Sequence, residues 1–185
     1  MAEKKKPRIL DQRIVAESRL FSIEQIDLEF ANGNRAQYER LRSAGFGAVL
    51  IVPLLDPDTV LLIREYAGGT DRYELALPKG RIERDEDILE AANREIMEEV
   101  GYGARRLEIL NHLSLAPGYL GHTTHIVLAT ELYEQRLPGD EPEEIEVVPW
   151  RLDRLDELVI REDFTEARSL AALYLTRDRL AREPA

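Results

Sequence analysis

The chain contains no cysteine. Disulfide staples, thiol nucleophiles and cysteine-ligated zinc or iron–sulfur centres are thereby excluded, and a reducing compartment suits the sequence. Long apolar runs are missing too. The longest, Ala48 to Leu55, is eight residues interrupted by Pro53, against the roughly 20 needed to span a bilayer. Lys4-Lys5-Lys6 leads into Pro7 and Arg8 rather than into an apolar stretch, so the opening residues do not read as a secretory signal. Positive charge is in deficit: 25 Lys and Arg stand against 36 Asp and Glu, a net charge of −11. Non-specific grip on nucleic acid needs clustered cations and is not expected. Internal repeats and low-complexity tracts are absent. These absences describe a soluble, cytoplasmic protein with neither nucleic acid nor membrane as partner.

What is present is globular in composition. The 185 residues are 44% hydrophobic and 33% charged, enough for one ordinary domain with a small appendage. Ile9 to Arg42 reads as β structure, with Ile26, Leu28 and Phe30 alternating against Asp27 and Glu29 and a hairpin turn at Asn32-Gly33. Phe21 and Ile23 alternate in the opposite register, which predicts a bulge near Glu24. A segment of strands alone is marginal, so residues 1–44 are expected as an N-terminal antiparallel β-subdomain that packs on the rest of the chain or exchanges with a second copy. Residues 45–185 are expected as the main domain. Strand candidates there are Ala48–Leu55, Thr59–Tyr66, Tyr73–Leu77, Leu107–Leu115, Thr124–Leu132 and Ile145–Trp150, with Pro78-Lys79-Gly80 closing the third. Residues 86–100 carry helical periodicity, and Leu152–Ile160 and Phe164–Leu180 read as terminal helices. Strands outnumber helices without alternating with them, which points to the α+β class with a mixed sheet.

The informative stretch runs from Gly80 to Tyr102. On a helix, Glu95, Glu98 and Glu99 are i, i+3, i+4 neighbours on one face. Leu89, Ala92, Ile96 and Val100 form the adjacent apolar stripe. Like charges at that spacing repel, and a hard divalent cation with oxygen ligands is the natural offset. Arg94 can bridge to a neighbouring carboxylate and hold its rotamer. Gly80 permits close backbone approach before the helix, and Gly101 sits where a glycine ends one.

This spacing resembles the Nudix box, G-x5-E-x7-R-E-U-x-E-E-x-G-U, where U is bulky and apolar. Gly80, Glu86, Arg94, Glu95, Glu98, Glu99 and Gly101 occupy its fixed positions, and Tyr102 stands at the last U. The resemblance implies a mixed β-sheet sandwiched between helices and hydrolysis of a nucleoside diphosphate linked to another group. It implies Mg2+ or Mn2+ held by Glu95, Glu98 and Glu99 with the carbonyl of Lys79, Arg94 as the orienting arginine and Glu86 as its partner. Gly139 to Glu146 is the expected acidic loop, with Glu141 as the general base and Glu143 as a catalytic residue and further metal ligand; Glu144 is the alternative for either.

Outside the box, Pro117 and Tyr119 lie 15 and 17 residues past Tyr102, where family members acting on ADP-ribose and on dinucleoside polyphosphates place a proline and a tyrosine. Arg40, after Tyr38-Glu39, resembles a substrate contact. Arg64, at a strand end, is a weaker candidate. The runs Ser18–Phe21, Ile63–Ala67, Glu90–Glu95 and Gly139–Pro142 resemble family members that cleave ADP-ribose, diadenosine triphosphate and NADH to AMP. Ala67 and His122 stand where ADP-ribose hydrolases commonly have an arginine and a glutamate, which argues against strict ADP-ribose preference. The implied partner is a small ADP-containing molecule, and the implied assembly a homodimer. The rivals are a sugar-nucleotide or nucleoside-triphosphate hydrolase and a non-catalytic nucleotide sensor. The pair His122 and His125 has metal-like spacing but lacks a clear third ligand.

Overall fold

A computed structural model describes residues 4–42 and 45–182, and its backbone falls into two compact units. One takes in the described residues of Met1–Ala44 together with Ser114–His122; the other takes in Gly45–Leu113 with the described residues of Thr123–Ala185.

The first unit is a three-stranded antiparallel sheet of β1 (Arg8–Glu17), β2 (Ser22–Glu29) and β3 (Arg35–Leu41), in that order. Its hairpin forms at the expected dipeptide. Gly33 takes a φ of 83°, open to glycine, and the Asn32 side chain accepts the Asn34 N–H at 3.1 Å. A bulge does lie beside Glu24, but on the facing strand. β2 pairs with β3 without interruption from Ile23 to Glu29, and the register shifts sit in β1, between Ile9 and Asp11 and between Ile14 and Ala16. The second is opposite Ile23–Glu24, so the strand facing Glu24 absorbs the extra residue, while Phe21 falls outside β2 and is exposed. The 114–122 segment joins this unit through the Leu41 N–H, which donates to the Tyr119 carbonyl at 2.8 Å.

The second unit holds a mixed sheet of order β10-β5-β4-β9-β8, with β6 added beside β5 and β7 beside β4. The strands are β4 (Ala48–Asp56), β5 (Thr59–Ala67), β6 (Arg72–Ala76), β7 (Lys79–Arg81), β8 (Tyr102–Ser114), β9 (Thr123–Glu134) and β10 (Glu146–Arg151). β4 and β9 run parallel; the other pairs with a resolved register are antiparallel. Helices α1 (Ile88–Glu99), α2 (Leu155–Leu158) and α3 (Ala167–Leu180) complete it. The period-2 alternation of the central strands divides the core in two. Val49, Ile51, Leu61, Ile63, Val127 and Ala129 pack with Ala92 and Ile96 of α1. Their neighbours Leu50, Val52, Val60, Leu62, Ile126 and Leu128 pack with Leu158, Ala172 and Leu173 of α2 and α3. The sheet is thus sandwiched between helices.

Three expectations are corrected. Pro78-Lys79-Gly80 is not merely a closing turn: Lys79–Arg81 is a strand on β4, and the Ile51 N–H donates to the Pro78 carbonyl at 2.9 Å. The cause lies in β4 itself. Pro53 has no N–H to give, and β4 pairs with β5 only at Leu54 and Asp56, leaving the upstream edge open for β7. The expected helix over 152–160 shrinks to a 3-10 turn, Leu152–Arg154, followed by the four residues of α2, because only Leu155 and Leu158 are buried there. α3 starts at Ala167 rather than near Phe164, since the Glu166 carboxylate caps it by accepting the N–H groups of Arg168 and Ser169. Among the described residues no helix is long and apolar enough to cross a membrane.

Candidate active site

The second unit brings the helix carboxylates against the β7 backbone. Asp87 caps α1, its side chain accepting the Leu89 N–H at 2.8 Å. Gly101 ends it at a φ of 83°, its N–H bonded to the Ile96 carbonyl. Between those stops the apolar stripe of Ala92, Ile96 and Val100 is buried, which aims Glu95 and Glu99 inward at the β7 side. Gly80 is required for contact there. A Cβ on it would fall 1.9 Å from the Glu95 carboxyl carbon and 2.0 and 2.1 Å from its oxygens.

Arg94 is the hub of the cluster. Its Nε and Nη2 grip the two oxygens of Glu86 at 2.8 and 3.1 Å, and Nη1 donates to Glu95 at 2.8 Å and Glu98 at 3.0 Å. Nη2 also donates to the Arg81 carbonyl at 3.1 Å, tying α1 to the end of β7. Arginine suits this role because its planar fork serves several acceptors at once. The Lys79 N–H donates to Glu99 at 2.9 Å, while its ammonium pairs with Glu65, also at 2.9 Å.

Electrostatics follow from burial. Burial pushes Glu99 up to about 8, against the lowering pull of Lys79's charge and N–H, and only 4% of the residue is exposed. Burial also raises Glu95 despite Arg94, and the negative charges of Glu98 and Glu141 add to the rise. Glu86 moves the other way because Arg94 bonds to it. Glu141 therefore lies within electrostatic reach of α1. Glu143 is placed differently: its carboxylate accepts the Tyr73 hydroxyl at 2.6 Å. Both line a cleft of about 400 Å³ together with Arg64, Tyr66 and Tyr73.

The oxygen-only donors of Glu95, Glu98 and Glu99, two of them held towards the neutral form chiefly by burial, fit a hard divalent cation. As the side chains stand, no group of three His, Asp or Glu among the described residues is arranged to hold a metal ion, and Arg94 bridges Glu95 and Glu98.

Arg40, Pro117 and Tyr119 all belong to the first unit. Arg40 is anchored on buried Glu24 through Nε at 2.7 Å and Nη2 at 2.6 Å, at a pocket of about 360 Å³ that Gln12, Arg42 and Gly121 also line. Pro117 lies in the turn closed by the Leu120 N–H on the Ala116 carbonyl, and Tyr119 is exposed. Arg64 is a structural tie, pairing with Glu146 at 3.0 Å and Asp163 at 2.8 Å. His125 pairs with His112, Nδ1 to Nδ1 at 2.7 Å. Reading the sequence missed Glu65 and Tyr73; their partners lie 14 and 70 residues away, and only the alternation of β5 and β6 hinted at their facing.

A mixed sheet between helices, with a glycine-led loop and a helix gathering glutamates around one arginine, defines the Nudix class of hydrolase. Residues 46–174 match the NUDIX domain and residues 7–40 the NudE-type Nudix hydrolase N-terminal domain. The chain belongs to the Nudix hydrolase family. It is 50% identical to the ADP compounds hydrolase NudE of Escherichia coli (strain K12), over 94% of this chain and 92% of that one. An ADP-ribose pyrophosphatase of Bacillus subtilis (strain 168) is 28% identical, covering 89% and 91%. A crystal structure of an ADP compounds hydrolase superposes with a TM-score of 0.91 at 48% identity, covering 98% and 97%.

Proposed function

We propose that the protein hydrolyses the pyrophosphate bond of ADP-linked compounds and releases AMP, with Mg2+ or Mn2+ as cofactor. The observation that carries this reading is that likeness to an ADP compounds hydrolase runs through both units, including the N-terminal segment, and not through the box alone. Glu95, Glu98, Glu99 and the Lys79 carbonyl hold the cation, with Glu143 from the acidic loop. Bound there, a divalent cation supplies positive charge against the pyrophosphate and makes water more acidic. Arg94 keeps the Glu95 and Glu98 carboxylates oriented, and the Lys79 N–H fixes one oxygen of Glu99. Glu141 accepts the proton of the attacking water. Arg40, Pro117 and Tyr119 contact the substrate.

In this reading residues 45–185 form the catalytic domain and residues 1–44 the β-subdomain. The protein works in the cytoplasm as a homodimer. β1 supports the dimer: it is an edge strand exposed along its whole length, apolar at Ile9, Leu10, Ile14 and Val15. The test is a panel of ADP-ribose, diadenosine triphosphate, NADH, GDP-mannose and dGTP. AMP is expected from the first three with Mg2+ or Mn2+ and not with chelator. Turnover confined to GDP-mannose or dGTP overturns the substrate class, and tight ADP-ribose binding without turnover makes the protein a sensor.

A further inference from the structure

The stretch from residue 135 to 145, between β9 and β10, has no regular secondary structure. Its start is docked on the end of α1. The Gln135 N–H donates to the Gly101 carbonyl at 3.1 Å and the Leu137 N–H to the Met97 carbonyl at 3.0 Å. Beyond Leu137 the loop carries Glu141 and Glu143; there the Tyr73 hydroxyl donates to Glu143 at 2.6 Å, and the loop's last residue, Ile145, is buried with the sheet residues Val49, Ile51 and Ile63.

Tyr73 is itself braced. It sits directly opposite Tyr66 in the β5–β6 register, their rings edge to face with centroids 5.7 Å apart. The Tyr66 hydroxyl is fixed in turn on Asp71, at 2.5 Å, in the turn joining the two strands. Tyr73 is 48% exposed and belongs to neither buried core cluster. A hydroxyl there does little for the fold, and its acceptor is a loop glutamate two positions from Glu141.

We infer that Tyr73 is a positioning residue of the hydrolytic centre: braced by Tyr66, its hydroxyl holds Glu143 and so sets the acidic loop, Glu141 included, over the carboxylate face of α1. This rests on the function proposed above. Tyr73 touches no reacting atom in this role. It restricts the loop before substrate arrives, so its loss slows turnover more than it weakens binding.

The experiment compares the full-length wild type with Tyr73→Phe, Glu143→Ala and the double variant. ADP-ribose hydrolysis is followed in Mg2+, and amide hydrogen exchange over residues 138–145 is followed in metal-free buffer. Tyr73→Phe keeps the ring and is expected to retain the melting temperature. It should lower kcat about tenfold with KM changed less than about twofold. Exchange in the loop should speed up, and in that exchange Tyr73→Phe should add nothing to Glu143→Ala, which removes the acceptor. Unchanged loop exchange overturns the inference, as does a loss confined to KM or an additive double variant. A wild type that turns over no ADP-linked compound sinks the functional reading instead, and loop exchange then decides the tether by itself.

Discussion

Glu99 carries the strongest consequence of any single residue. Its buried carboxyl titrates near 8 instead of 4.5, so between those values the folded chain holds a proton that the unfolded chain has released. The stability from this proton is full below 4.5 and is lost as pH rises through 8. A divalent cation needs the ionised group and restores what the proton supplied. In chelator the melting temperature should therefore fall as pH rises from about 5 to about 8.5, and Mn2+ should raise it more at the upper pH than at the lower. Scanning fluorimetry checks this; an equal cation effect at both pH values removes Glu99 from the ligand set. The helix carboxylates were legible beforehand because helical spacing is local arithmetic: i, i+3 and i+4 share a face whatever surrounds them. The Glu65–Lys79 ion pair and the Tyr73–Glu143 hydrogen bond were not, since each needs strands and loops far apart in the chain to be placed first.

α1 shows how one element's ends set the chemistry on its face. Asp87 satisfies one of its first N–H groups, and the Glu86–Arg94 bridge begins one residue earlier. Asp87→Ala should cost about 1 kcal/mol of stability, read as a lowered urea midpoint at unchanged slope. An unchanged midpoint makes the cap dispensable. Element type was readable where an apolar run or a helical period ran long, as in β4, β5 and α1. It failed at β7, because Pro-Lys-Gly is good turn chemistry and only the open edge of β4 makes a strand of it. It failed at 152–160 because two buried leucines are too few to hold a long helix against the sheet.

For the molecule as a whole, the net charge of −11 and the exposed strand β1 pull in opposite directions on assembly. Charge disfavours contact between copies over a Debye length, while an unpaired apolar edge favours it at short range. Sedimentation at micromolar concentration should give a dimer, and Ile14→Lys, placed on that edge, should shift it to monomer. A wild-type monomer refutes the exchange reading. The division of the main sheet into two core faces was implicit in its alternating residues, whereas the assignment of Ser114–His122 to the first unit was not, because it depends on a backbone bond between Leu41 and Tyr119.

The parallel pairing of β4 with β9 has a consequence for the protein's birth. Ala48 lies opposite Thr124, and α1 is translated between them. The ribosome therefore finishes the glutamate helix before it makes the strand that completes the helix's floor. Until β9 emerges, the nascent chain must carry Ala92 and Ile96 without their final partners Val127 and Ala129. Such long-range closure is slow and leaves greasy surface open to chaperones or to clumping. Truncations that stop short of β9 should accumulate as aggregates rather than as partly active enzyme.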